Sequence, residues 1–235
     1  MDKLLKLEKY QLLHNSIYWC GMIGTFILGF FTADTYVTEV MGPTEEIVSS
    51  LADIFNGMFP DGTTVLEIMG DTSTVPQQRT DGFKEVLHSN FTIEQVGFTG
   101  WQREDTKRIF KEWISEHSVE EIREVEAIFT HDDEIALGVL DVLDEYEEAG
   151  DDKGLFDNLK VIAGSAGAKE MYERIMTEDR YELFSLTYSA TMIKKAIRIG
   201  EKIIKGEDYE EMTIIETVEV NKTNVEKYYD KDAPY

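Results

Sequence analysis

Five short apolar segments between Thr64 and Thr187 constrain this chain to an α/β fold. Three of them, Thr64–Ile68, Val125–Phe129 and Leu159–Ala163, are rich in β-branched or aromatic residues, as buried strands are. Amphipathic helical patterns separate the segments. Because strands that alternate with helices at this spacing form βαβ units with right-handed crossovers, the sequence predicts a parallel sheet with helices on its faces.

Each apolar segment ends at a cluster of small or polar residues. In an open parallel sheet these ends lie at one edge, where loops and helix N-termini direct backbone N–H groups into a crevice. The clusters are Met69–Thr72, Thr99–Trp101, Thr130–Asp133, Gly164–Gly167 and Leu186–Tyr188. The sequence therefore predicts a binding edge formed by all five clusters.

Composition restricts the partners. The chain has 235 residues, 42% of them hydrophobic, which suffices for the core of one large or two small domains. The net charge of −24 repels phosphate backbones and anionic lipids, so we expect no nucleic-acid partner and favour a neutral or cationic small molecule. Cys20 is the single cysteine, which excludes an internal disulfide.

The amino-terminal segment differs from the rest of the chain. Residues from Ile17 to Phe31 are nearly all apolar and follow three lysines, a pattern typical of a signal peptide or a signal anchor. The segment lacks a clear cleavage site between small residues. The alternative is that Thr25–Leu28 and Thr35–Thr38 form two strands of the sheet.

Two residues near the predicted edge have side chains suited to contact a ligand. Arg79 follows a turn and a predicted helix start, with Thr74 as the cap and Pro76 in the first turn. Its guanidinium is expected either to face the crevice or to form a surface salt bridge. Trp101 offers a flat apolar face and one N–H donor, on which a sugar ring can pack, or it belongs to the core.

The densest polar cluster is His131–Glu134. Its acidic residues can cap a helix, accept hydrogen bonds from ligand hydroxyls, or bind a metal. A second metal-ligating cluster is absent from the sequence, as are paired cysteines and HExxH, GxSxG or P-loop motifs. Gly164–Gly167 is too weak a match for a dinucleotide site. The sequence thus predicts no metal, no cofactor and no catalytic site.

The order of these motifs resembles the periplasmic sugar-binding proteins of ABC importers. The match runs from about Tyr36 to Val225 and is nearest to the ribose- and galactofuranose-binding branch, which shares its fold with the effector domains of the lactose-repressor family. Its most specific part is the Asp-Glu-x-Ala-Leu-Gly segment at Asp133–Gly138. The other parts of the match are Gly70–Asp71, Arg79, Gly82–Phe83, Trp101–Arg103, the turn at Gly164–Gly167, Thr187–Ser189, Gly206 and Val218–Val225.

The resemblance implies a Rossmann-like, two-lobed periplasmic binding protein of type I. Such a protein closes on a monosaccharide (a pentose, a hexose or a galactofuranose-like sugar) by hinge motion and delivers it to an ABC permease in the membrane, without catalysis. It works in the periplasm or on the extracellular face of the membrane.

The resemblance also implies a set of ligand-binding residues. The family contacts its ligand at the positions of Arg79, Trp101, Asp132, Ala166 and Thr187, and we add Asp71 from the first cluster. Three positions depart from the family pattern, which usually has Asn at Asp132, Asp at Ala166 and often Gln or Asn near Thr187. An ionised Asp accepts hydrogen bonds only, and Ala offers none, so we expect an altered ligand or weak binding.

The domain organisation follows from the same resemblance. Family members begin with three or more βα units before the strand predicted at Tyr36–Val40, so the chain resembles an amino-terminally truncated member with an incomplete first lobe. We expect residues 1–35 to be the apolar segment. Residues 36–59 and 188–212 then form the remnant of the first lobe, and residues 60–187 and 213–235 form the second lobe.

Two other functions stay open at this stage. The first is an effector-sensing domain of a lactose-repressor-like regulator, although no helix-turn-helix precedes the sheet and the charge opposes DNA binding. The second is an α/β enzyme that uses the His131–Glu134 cluster on a small substrate.

Overall fold

The computed structural model describes residues 44–150, 154–187, 192–209 and 217–233. Helices and strands alternate along most of this part of the chain. The helices are α1 (Thr44–Met58), α2 (Thr74–Val86), α3 (Arg103–Glu116), α4 (Val119–Arg123), α5 (Asp133–Ala149), α6 (Lys169–Thr177), α7 (Met192–Lys205) and α8 (Val225–Tyr228). The strands are β1 (Thr64–Met69), β2 (Thr92–Phe98), β3 (Val125–Thr130), β4 (Val161–Ala166), β5 (Glu182–Thr187) and β6 (Val218–Val220).

Within the described residues, six strands form one sheet in the order β2-β1-β3-β4-β5-β6. The first five strands in this order run parallel, and β6 pairs antiparallel to β5 at the edge. The predicted α/β fold with a mostly parallel sheet is therefore confirmed. Because the five parallel strands point the same way, their carboxyl ends all lie along one edge of the sheet.

The sheet is buried on both faces because alternate residues of its strands enter different cores. Leu66 and Ile68 of β1 join a cluster built with α3, α5 and α6, whereas Val65 joins a second cluster built with α1 and α2. Ile162 and Val161 of β4 divide between the two clusters in the same way. This two-sided burial explains why the strands read as nearly continuous apolar runs.

Helix α5 begins and ends where its sequence indicates. The Asp132 carboxylate caps it by accepting a hydrogen bond from the Glu134 N–H at 2.9 Å, and Gly150 ends it in the left-handed conformation with φ of 69°. The apolar residues of this helix from Ile135 to Leu143 are buried. Capping by Asp132 is thus confirmed as one role of the acidic cluster.

Two local predictions were wrong. Ser73, rather than Thr74, is the N-cap of α2, so the helix begins one residue earlier than predicted. The predicted turn at Gly164–Gly167 is instead mostly strand, because β4 continues to Ala166. Gly164 is buried there, and backbone pairing with β5 extends through Ala166, so small residues in this segment reflect close packing rather than a turn.

Helices α3 and α5 approach each other closely at Gly138. A Cβ atom at this position would lie 2.8 Å from the Thr106 Cβ and 2.9 Å from the Arg103 carbonyl oxygen. We expect Gly138→Ala to lower the free energy of unfolding by about 1–3 kcal/mol, because α5 must move away from α3. Urea denaturation measures the change. Gly57→Ala is the control, since a Cβ at Gly57 meets nothing within 4 Å; equal stability of the two variants would contradict the prediction.

The chain divides into two compact units. One comprises Thr44–Met192 with Glu216–Tyr235, and the other includes Ile193–Ile215. In the second unit the structure describes most of α7 and the residues that follow it to Tyr209. Helices α1 and α7 lie within residues 36–59 and 188–212, the two ranges predicted to form the remnant of the first lobe. The division into a second lobe and a remnant of a first lobe stays a prediction.

The described residues contain no helix whose length and apolar content would suffice to cross a bilayer. The apolar segment at residues 17–31 and the strand predicted at residues 36–40 lie outside the described part of the chain.

Candidate binding site at the strand ends

The six residues predicted to bind ligand lie at the carboxyl edge of the sheet or reach toward it. We call this set the rim. It consists of Asp71, Arg79, Trp101, Asp132, Ala166 and Thr187. Strand pairing aligns the ends, since Met69 pairs with Phe98, Ile68 with Thr130, and Ala166 with Thr187.

Trp101 occupies the loop between β2 and α3 in a left-handed conformation, with φ of 62°. This conformation is uncommon for a bulky residue and is found most often where a side chain has a functional orientation. The indole ring lies against Gly70, where a Cβ atom would come within 2.3 Å of it. The ring packs in part against the core and stays partly exposed, so the core role is confirmed in part and the ligand-binding role stays a prediction.

Asp71 contacts the same indole. Burial alone would raise the pKa of Asp71, but hydrogen bonds from Ser73 and from Trp101 lower it below its ordinary value. The Ser73 N–H donates to the Asp71 carboxylate at 2.9 Å. Asp71 is therefore ionised at neutral pH and helps to hold the Trp101 ring in place.

Arg79 reaches the rim from α2. Its guanidinium carbon lies 5.8 Å from the centroid of the Trp101 ring, and its Nη1 donates a hydrogen bond to the His131 carbonyl oxygen. The side chain is buried, and it forms no salt bridge with any described residue. The alternative of a surface salt bridge was therefore wrong. Its Nε–H has no partner in the described part of the chain, which leaves a donor beside Trp101.

Asp132 lies one residue beyond the carbonyl that Arg79 contacts. Burial raises the pKa of Asp132, and this rise is partly offset by the hydrogen bond from the Glu134 N–H and by the charge of Arg79. The side chain is partly exposed. Arg79, Trp101, Asp71 and Asp132 thus form one connected group at the ends of β1, β2 and β3.

His131 is fully buried behind this group and serves the structure. Its Nε2 lies 3.0 Å from the Glu67 carboxylate. Burial lowers the pKa of His131, so the ring is neutral at pH 7 and donates from Nε2 to Glu67. A catalytic histidine must reach its substrate, whereas this ring is inaccessible.

Glu67 was not identified from the sequence. It lies in the middle of β1 with no exposed surface. Its carboxylate accepts hydrogen bonds from His131, from Thr80 at 2.5 Å and from Gln95 at 2.8 Å. Burial would raise the pKa of Glu67, but these hydrogen bonds lower it below its ordinary value. The sequence contains one signal that could have identified Glu67: it is a charged residue inside an apolar strand. A buried charge of this kind must have hydrogen-bond partners.

Ala166 and Thr187 form a second group at the ends of β4 and β5. Ala166 has φ of 152°, a conformation that residues with a side chain rarely adopt. The Thr187 hydroxyl hydrogen-bonds with Tyr172, a residue of α6 that sequence analysis did not identify. A Cβ at Gly167 would lie 2.3 Å from the Thr187 Oγ1, so the loop packs tightly on Thr187.

Asp133 connects the two groups of the rim. Its carboxylate, at the start of α5, accepts hydrogen bonds from the Gly167 and Ala168 N–H groups and from the Ser185 hydroxyl. The acidic cluster thus has divided roles, since Asp132 caps α5 at the rim while Asp133 holds the loop after β4. Among the described residues, no cluster of three or more His, Cys, Asp or Glu side chains could hold a metal ion.

A cavity of about 210 Å³ lies at the opposite edge of the sheet, near the amino ends of β4 and β5. Arg180 borders it but already pairs with Asp144, Glu147 and Glu178. The cavity is separate from the rim. Its lining residues are Leu143, Glu147, Phe156, Asp157, Leu159, Arg180 and Tyr181.

Comparison with known proteins gives a match to one family. The model of the periplasmic binding protein domain matches residues 50–208, which is more than half of the chain. No curated protein matches the sequence.

Solved structures share this fold. An ABC transporter solute binding protein from Mycobacterium smegmatis with bound glycerol is 22% identical, with a TM-score of 0.62, and the match covers 80% of this chain and 61% of that protein. A glucose-galactose binding protein from Geobacillus stearothermophilus is 16% identical, with a TM-score of 0.65 and coverage of 78% and 61%. A myo-inositol binding protein from Caulobacter is 17% identical, with a TM-score of 0.64 and coverage of 79% and 60%. The chain therefore spans about three fifths of the length of these structures.

Proposed function

Because the chain belongs to the periplasmic binding protein domain family, we propose that it binds a monosaccharide at the rim, without catalysis, for import by an ABC transporter. The protein would act in the periplasm or on the extracellular face of the membrane. Its partners would be the sugar and the membrane permease.

One observation carries this proposal, namely the contact group formed by Trp101, Arg79 and Asp71. The partly exposed indole supplies an apolar face, and the Nε–H of the buried guanidinium beside it has no partner among the described residues. The Asp71 carboxylate fixes the ring. A sugar needs both an apolar surface for its C–H face and polar groups for its hydroxyls, and this group offers them together.

The ligand class is supported by the relatives. Solved structures with this fold contain bound glycerol, D-allose, D-fucose or myo-inositol, and another is a galactofuranose binding protein. All of these ligands are neutral and rich in hydroxyls. We propose a pentose, a hexose or a galactofuranose-like sugar for this chain. Asp132 in its ionised form would accept hydrogen bonds from the ligand but donate none.

The proposal of a non-catalytic protein rests on the acidic cluster. His131 is buried against Glu67, and the buried Asp133 carboxylate accepts hydrogen bonds from the loop after β4 through its Oδ2. Asp132 caps α5. No member of the cluster is both accessible and paired with a second catalytic group in the described part of the chain, and the solved relatives named above are binding proteins.

Isothermal titration calorimetry with a panel of monosaccharides tests the proposal. We expect at least one sugar to bind, and we expect Trp101→Ala to weaken that binding by about 10- to 100-fold, because an aromatic anchor at the centre of a site contributes roughly 1.5–3 kcal/mol. Tyr181→Ala, at the opposite edge of the sheet, is the control and should leave the affinity unchanged. The proposal fails if no sugar produces binding heat at millimolar concentration.

A further inference from the structure

The Asp133 carboxylate joins three parts of the structure through one oxygen. The side chain is fully buried at the first position of α5. Its Oδ2 accepts hydrogen bonds at 2.8 Å from the Gly167 N–H, the Ala168 N–H and the Ser185 hydroxyl. Two donors belong to the loop after β4 and the third belongs to β5. This single atom therefore sets the spacing between α5, that loop and β5.

The second oxygen of Asp133 has no hydrogen-bond partner among the described residues. It lies over Gly164, where a Cβ atom would come within 2.4 Å of it, and the Ala136 Cβ would lie 3.1 Å from that same position. The oxygen is buried, so water cannot solvate a charge there. An ionised carboxylate with one unsolvated oxygen is unfavourable, and a proton on Oδ1 relieves the cost.

The groups that face Asp133 do not neutralise it. The Asp132 carboxylate, at the N-cap of α5, disfavours a second negative charge. The Tyr172 hydroxyl on α6 is close enough for the Asp133 charge to raise the pKa of Tyr172. The loop and β5 contribute only the neutral donors named above. No basic side chain of the described residues forms a salt bridge with Asp133. Burial consequently raises the pKa of Asp133 to about 7.

We propose that Asp133 is a proton-sensitive positioning residue, whose ionised form holds the two groups of the rim together and whose protonated form loosens them. Hydrogen bonds to an ionised acceptor are stronger than those to a neutral one. Deprotonation therefore draws the loop after Ala166 and the end of β5 at Thr187 closer to the start of α5, which Asp132 caps. The rim changes its geometry across neutral pH.

Ionisation of Asp133 strengthens its hydrogen bonds but lowers the free energy of unfolding. The folded protein binds the Asp133 proton more tightly than the unfolded chain, whose Asp pKa is about 3.9. The contribution of Asp133 to the free energy of unfolding is therefore present at acidic pH. It declines as the pH rises from about 4 to about 7 and stays constant above. The ionised Asp133 carboxylate makes the stronger hydrogen bonds, yet its buried charge lowers the free energy of unfolding.

NMR titration of the Gly167 and Ala168 amide resonances tests the proposal without any ligand. Both resonances should shift with one common midpoint near pH 7, and the shift should be absent in Asp133→Asn, which cannot ionise. If Asp133→Asn does not fold, Ser185→Ala takes its place: it removes one donor to the ionised form and should raise the midpoint. A midpoint below pH 5, or an unchanged titration in the variant that folds, overturns the proposal.

The link to affinity rests on the proposed function and has its own readout. A sugar identified by calorimetry should bind about fivefold more tightly at pH 8 than at pH 6, as expected for a gain of about 1 kcal/mol in hydrogen bonding. Equal affinities in a protein whose amides titrate would overturn the link between Asp133 and the rim. If no sugar binds, the proposed function fails, and the amide titration still decides whether Asp133 is proton-sensitive.

Discussion

Gly70→Ala is expected to weaken sugar binding by about 30- to 100-fold while the protein stays folded, a loss comparable to that of a central aromatic anchor. The new Cβ would lie 2.3 Å from the Trp101 indole, so the ring must leave its position. Gly70 has no positive φ that would itself strain an alanine. The effect therefore reports the placement of Trp101, and calorimetry at constant pH measures it.

Gly57→Ala is the matched control for this variant. Gly57 lies in α1, and a Cβ there meets no atom within 4 Å. The substitution should leave affinity unchanged and stabilise the helix by up to about 1 kcal/mol. If Gly70→Ala bound the sugar with wild-type affinity, the position of the Trp101 ring against Gly70 would have no part in binding.

Glu67→Ala is expected to lower the free energy of unfolding by about 3–5 kcal/mol, because each buried donor left without an acceptor costs about 1–3 kcal/mol. The substitution leaves the hydrogen-bond donors of His131, Thr80 and Gln95 without their acceptor. His131 and Thr80 are both buried, so water cannot replace the carboxylate at these donors. Chemical denaturation at pH 7 measures the loss.

Glu126→Ala provides the comparison on the neighbouring strand. Glu126 lies on β3 and pairs with Lys160, whose side chain is 55% exposed. We expect a loss of no more than about 1 kcal/mol, because exposed ion pairs contribute little. Similar losses for Glu67→Ala and Glu126→Ala would mean that the buried network around Glu67 does not stabilise the fold.

The parallel sheet was predictable because its signals are local. Apolar runs such as Val125–Phe129 need both faces buried, and polar clusters directly after them mark the strand ends. The left-handed end of α5 at Gly150 and the cap at Asp132 also follow from short-range rules. These rules act within a few residues, so sequence alone contains them.

The buried networks were not predictable because their partners are distant in sequence. Glu67 meets His131 across 64 residues, and Asp133 meets Ser185 across 52. The sequence shows the charged residues but not which donors will face them. The extent of β4 depended on tertiary packing for the same reason: Gly164 has the composition of a turn residue, and its close contact with the Asp133 carboxylate is visible only in the folded structure.

Amide chemical-shift mapping during a sugar titration shows whether the ligand binds at the carboxyl ends of the strands. We expect the largest shifts at Asp71, Trp101, Asp132 and Thr187, with little change around the cavity near Phe156 at the opposite edge. Shifts centred on that cavity, with none at the strand ends, would contradict this expectation.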